Sequence, residues 1–154
     1  MGRHLPTRLT LAAVLIAVVA PTATAVARGS LTPAAYRAQA NAVCKTTSAR
    51  LKAITPATTP KQFAGFLKKA LPVFEAQIAS LAKLSPPARF RADHLKAIAL
   101  ERSQVVGIKR FIAAVAAGGD PTAEFKKTDA ALSPLSKAET AIWKKLGLPA
   151  CADL

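Results

Sequence analysis

Four times along this chain an oxygen-bearing side chain stands directly before a proline: Thr32-Pro33, Thr59-Pro60, Ser85-Pro86 and Asp120-Pro121. Each pair has the chemistry of a helix start. The first residue accepts a hydrogen bond from a free N–H of the opening turn. Proline at the first helical position gives up an N–H that has no partner there anyway. Thr59 and Gln62 add capping-box spacing. Four starts predict four helices.

The residues between the starts carry the matching periodicity. The first helix is predicted over 33–54, with Tyr36, Ala40, Val43, Cys44, Thr47, Leu51 and Ile54 on one face. The second, over 60–84, aligns Phe63, Leu67, Leu71, Phe74, Ile78 and Leu81. The third, over 86–117, aligns Phe90, Ile98, Val105, Ile108, Ile112 and Val115. The fourth, over 121–146, uses Phe125, Leu132, Leu135, Ile142 and Leu146. Pro72 and Pro134 fall inside the second and fourth helices and predict kinks. Gly118-Gly119 and Gly147 supply helix stops. No segment alternates as a half-buried strand would. Short connections make neighbours antiparallel, so the expected fold is all-α, an up-down-up-down four-helix bundle. Alanine fills many inward positions, which allows close approach but supplies little apolar area at each.

Ahead of these helices, residues 1–27 read as a secretory signal peptide. Arg3 and Arg8 form a basic start, Leu9 to Ala20 an apolar run, and Ala23-Thr24-Ala25 and Ala25-Val26-Ala27 two cleavage patterns. The run is shorter than the roughly 20 residues of a spanning helix. Residues 28–154 are then one domain, secreted or associated with the cell envelope, with a monomer as the default. In an exported chain the even pair Cys44 and Cys151 favours a disulfide over two free thiols or an intermolecular bridge. The two meet only if the tail beyond Gly147 folds back. A redox role is disfavoured, because nothing resembles Cys-x-x-Cys.

Ala-x-x-x-Cys-Lys at Ala40 to Lys45, Leu-x-Pro-Pro at Leu84 to Pro87 and Leu-Gly-Leu-x-x-Cys at Leu146 to Cys151 stand behind that signal. The combination resembles a group of small secreted helical proteins of actinobacteria. The resemblance implies a small exported helical architecture and transfers no catalytic residue.

The residue inventory argues against an enzyme and against a metal or other cofactor. Beyond the signal the only histidine is His94, and no Cys-x-x-Cys-His is present for haem attachment. A di-iron bundle needs Glu-x-x-His, yet Glu75, Glu101, Glu124 and Glu139 are followed three positions on by Ile78, Gln104, Lys127 and Ile142. Asp93 and His94 point about 100° apart on a helix, which weakens a catalytic dyad. His94 reads as a partly buried helix-face residue. Glu101 and Glu139 fall on or beside the apolar stripes of helices three and four. Paired carboxylates suit acid–base work, but no nucleophile accompanies them. The expected role is pairing with Arg or Lys at the stripe edge, because an unpaired buried carboxylate is costly. His94, Glu101 and Glu139 are the candidate polar site.

Charge is the strongest remaining signal. The chain has 22 Lys and Arg against 8 Asp and Glu, and loss of Arg3 and Arg8 leaves a net charge of about +12. Arg89, Arg91, Lys96, Arg102, Lys109 and Arg110 run along helix three, and lysine doublets stand at 68–69, 126–127 and 144–145. Helical spacing offers them few acids: Arg89 with Asp93, Asp93 with Lys96, and Glu124 with Lys127. The rest faces water or an anionic partner, either acidic envelope polymer or lipid headgroups. A solvated, solubilising coat is the alternative. Nucleic acid is disfavoured, since export removes it and Trp143 and Tyr36 are too few for a stacking platform. Two further readings are an interaction module for another exported protein and a small apolar-ligand carrier with a cavity between alanine-rich helices.

Overall fold

The structure, a computed structural model, describes residues 29–154. The signal peptide read at 1–27 lies outside the described residues. Three of the four helix starts form as the sequence implies. Thr32 Oγ1 accepts from the Ala35 N–H at 3.2 Å, Thr59 Oγ1 from Gln62 at 3.3 Å and Asp120 Oδ1 from Ala123 at 2.7 Å. These caps open α1 (Pro33–Lys52), α2 (Pro60–Ala82) and α4 (Pro121–Leu146).

The remaining start is two residues later than expected. α3 spans Ala88–Ala116, with Pro87 at its N-cap and no side-chain cap. Pro87 pushes Pro86 out of the helical region, so the helix begins only after both prolines. The Ser85 carbonyl instead accepts from the Leu31 N–H at 2.8 Å, tying the α2–α3 turn to the segment ahead of α1. The end of α1 is also earlier than residue 54, because Pro56 disfavours helical geometry at Thr55. α2 and α4 run unbroken through Pro72 and Pro134. The carbonyls that lose a donor there, those of Lys68 and Ala130, belong to exposed residues, so they are not left unpaired in the core.

α4 stops at Gly147, whose φ of 73° is left-handed. The Leu148 N–H then bonds back to the Trp143 carbonyl at 2.9 Å. Beyond it lies a short helical turn the periodicity did not indicate, α5 (Pro149–Ala152). Leu148 is fully buried at the bend and anchors it. α5 packs on α1 and α4, its Ala150 N–H donates to Asn41 Oδ1 of α1 at 3.1 Å, and Cys151 is disulfide-bonded to Cys44 with Cα atoms 5.0 Å apart. The folded-back tail is what brings the two cysteines together. α1 itself touches the end of α4 through Arg37, whose Nε donates to the Leu146 carbonyl at 2.9 Å.

All regular structure among the described residues is helical. α3 is central, packing along both α2 and α4. At Gly107 an added Cβ would lie 2.6 Å from a Leu132 methyl, which shows how closely α3 and α4 approach. The main core lies toward the disulfide, where Tyr36, Leu81, Ile98, Trp143, Leu146 and Leu148 are buried together. At the opposite end Phe63 packs against Phe111 and Phe125, with ring centroids 6.0 and 5.2 Å away.

Candidate functional site

The side chain of Glu101 (α3) is buried and meets that of half-buried Glu139 (α4). Neither pairs with Lys or Arg, which corrects the expectation from sequence. Glu101 Oε1 accepts from Gln77 Nε2 of α2 at 2.9 Å. Glu139 accepts from Trp143 Nε1 at 2.8 Å and from Gln104 Nε2. The reason is register: α2, α3 and α4 present amide and indole donors at the same level, and these replace basic partners without adding charge.

Burial, reinforced by the neighbouring Glu139 carboxylate, pushes the Glu101 carboxyl up to about 9. Burial also raises Glu139, against hydrogen bonds from Trp143, Glu101 and Gln104 that favour its ionised form. Two carboxylates this close in a low-dielectric site do not both ionise at neutral pH. They share one proton. Glu101 Oε2 accepts no hydrogen bond, so the proton sits best on that oxygen, donated toward Glu139.

His94, read with these glutamates as one site, stands apart from them. It is buried rather than partly buried, at 1% exposure. Its Nδ1 is 2.9 Å from the Tyr36 hydroxyl. Burial lowers the His94 pKa, opposed by a hydrogen bond to the Leu81 backbone. A neutral ring that accepts from Tyr36 and donates to the Leu81 carbonyl satisfies both nitrogens. Burial raises the Tyr36 hydroxyl to about 12, so it stays a donor. Contact with the carboxyl pair is indirect, through Trp143, whose ring centroid is 6.1 Å from that of His94. Tyr36, His94, Trp143, Glu139, Glu101 and Gln77 thus form one buried polar column across four helices. Asp93 faces away and pairs with Lys145 of α4 at 2.8 Å, not with Arg89 or Lys96.

A cleft of about 160 Å³ opens over the carboxyl pair. Phe74, Ile78, Val105 and Ile108 form apolar walls, Gln77, Glu101 and Glu139 a polar end, and Ala152 and Leu154 of the disulfide-held tail close one side. A second cleft of about 170 Å³ lies among Phe63, Phe111, Phe125 and Leu132 and is largely apolar. Among the described residues no three His, Cys, Asp or Glu side chains converge as a metal ion would need.

The outer surface has the opposite chemistry. Arg89, Arg91, Lys96, Arg102, Lys109 and Arg110 are all exposed, and α3 exposes no acid among them. Leu95 and Val106 share that solvent face at 59% and 46% exposure. Among the described residues two ion pairs form, Lys109–Glu75 at 2.7 Å and Lys145–Asp93. Glu124 and Lys127 form none. Arg89 instead lies over the Phe90 ring at 4.8 Å, and Arg37 over the same ring at 5.1 Å.

Sequence reasoning singled out both glutamates but missed Gln77, Gln104 and the Trp143 indole as their partners. One signal was available: Trp143 lies four residues after Glu139, and Gln104 three after Glu101, on shared helix faces. No protein-family model, curated protein or solved structure matches this chain.

Proposed function

We propose that residues 28–154 form an exported, non-enzymatic protein, an up-down-up-down four-helix bundle that adheres to anionic components of the cell envelope through the solvent face of α3. The observation that carries this reading is the solvent face of a 29-residue helix that bears six exposed Lys and Arg and no exposed acid, its half-buried Asp93 being taken up by Lys145 of α4. Basic residues occur on the other long helices too, but the lysines at the start of α4 are flanked by the exposed acids Asp120, at its N-cap, and Asp129. Of the six basic residues of α3 only Lys109 forms an ion pair among the described residues, with Glu75, because Asp93 is engaged by Lys145. The exposed Leu95 and Val106 add apolar area between the charges, which suits contact with a lipid or polymer surface more than hydration alone does.

Such attraction is screened by salt, with a Debye length that falls from about 30 Å at 0.01 M to about 3 Å at 1 M. The protein should therefore be retained on washed cells or on an immobilised acidic polymer at low salt and be released as salt rises. Free passage at low salt would refute the proposal. Retention that survives 1 M salt would favour a protein partner held by apolar contact.

A further inference from the structure

We infer that the cleft over Glu101 and Glu139 is a binding site for a small organic cation: an ammonium head on a single ring-sized apolar body. One buried acceptor among the lining side chains, Gln77 Oε1, has no hydrogen-bond partner, and Glu101 Oε2 has none beyond the proton shared with Glu139; the two side chains are only 6% and 7% exposed. Orphaned buried acceptors are costly, and a ligand rich in donors removes that cost. An ammonium carries three donors and no acceptor. It also carries the one positive charge that can stand in for the proton the carboxyl pair shares.

Other ligand classes fit less well. An anion would meet carboxylates at the polar end, since no Lys, Arg or His lines the cleft. Calcium takes six to eight oxygens, and although Gln104, Ser136 and Thr140 also line the cleft, the carboxyl oxygens are partly engaged by Gln77, Gln104 and Trp143. Phe74, Ile78, Val105 and Ile108 call for an apolar body beside the head group. The volume of about 160 Å³ is close to that of cavities that admit benzene.

The titratable side chains that line the cleft are Glu101 from α3 and Glu139 from α4. α2 contributes the neutral Gln77, α5 the disulfide-bonded Cys151, and α1 no charged group. An ammonium seated between the carboxyls releases the shared proton to solvent, so its binding is linked to pH. The surface adhesion proposed for α3 involves none of these residues.

The test is a titration of the disulfide-intact protein with benzylammonium chloride, followed by calorimetry and by the fluorescence of Trp143, whose indole donates to Glu139. Saturable binding is expected, stronger by roughly tenfold per pH unit between pH 6 and 8 for one proton released. Benzyl alcohol should bind at least tenfold more weakly. Glu101→Gln should weaken the amine by a similar factor, and Ser136→Phe, which adds bulk at an exposed lining residue and leaves both carboxyls in place, should do the same. Helical circular dichroism verifies that both variants fold. Any of four results overturns the inference: no saturable binding at millimolar amine, equal affinity for benzyl alcohol, pH-independent binding, or calcium saturating the site where the amine does not.

Discussion

Raising the pH from about 6.5 to about 8.5 should destabilise the folded chain by about 2–3 kcal/mol, from a single shared proton. The folded state holds the Glu101 proton up to about pH 9, whereas the ordinary carboxyl value is 4.5. Between those values the unfolded chain binds one proton fewer than the folded chain. Stability therefore falls as pH rises, by about 1.4 kcal/mol per unit. His94 acts in the other direction. Its pKa is lowered from 6.5 by burial, so below that value the unfolded chain takes up a proton the folded ring refuses. Just below pH 6.5 the two slopes oppose each other, so the fall in stability should be steeper above pH 6.5 than immediately below it. Urea unfolding read by Trp143, the sole tryptophan, measures the profile directly. Glu101→Gln should abolish the alkaline slope and leave the variant more stable than the parent at pH 8.5. A parent profile that is flat or rising from pH 6.5 to 8.5 would refute the shared proton.

Two further perturbations probe the frame that holds the pair. Replacing both cysteines, Cys44→Ala with Cys151→Ala, removes a cross-link between residues 107 apart, worth about 4.8 kcal/mol in the chain-entropy model. Denaturant midpoints should fall accordingly, and a loss below about 1 kcal/mol would mean that the tail docks equally well without its bond. Tyr36→Phe removes the hydroxyl partner of buried His94 Nδ1, for a cost of about 1–3 kcal/mol. Unchanged stability in that variant would show that Nδ1 has another donor.

Much of the fold was legible in local chemistry, because caps and prolines act within one turn. Thr32, Thr59 and Asp120 start their helices by contacts three residues away, which a sequence displays directly. The start of α3 moved because two consecutive prolines constrain the residue before the second more strongly than Ser85 can cap. α5 is only four residues long, too short to show a helical period. The disulfide was legible from compartment logic, though the fold-back that permits it depends on Leu148 finding a buried slot. The candidate site was half legible. Glu101 and Glu139 stood out against their apolar stripes, but their neutral partners come from three helices whose axial register no single segment encodes. The pairing of Asp93 with Lys145 was hidden for the same reason.

Surface adhesion through α3 is tested most directly by two variants that lose equal charge from different faces. R91Q/R102Q/R110Q removes three exposed charges from α3, and K126Q/K127Q/K137Q removes three from α4. Co-sedimentation with vesicles containing anionic lipid, at low salt, compares both with the parent. The α3 variant should lose most of its binding, while the α4 variant, flanked by exposed acids, should retain most of it. Equal loss in the two would contradict a dedicated face and leave the positive charge as a general solubilising coat.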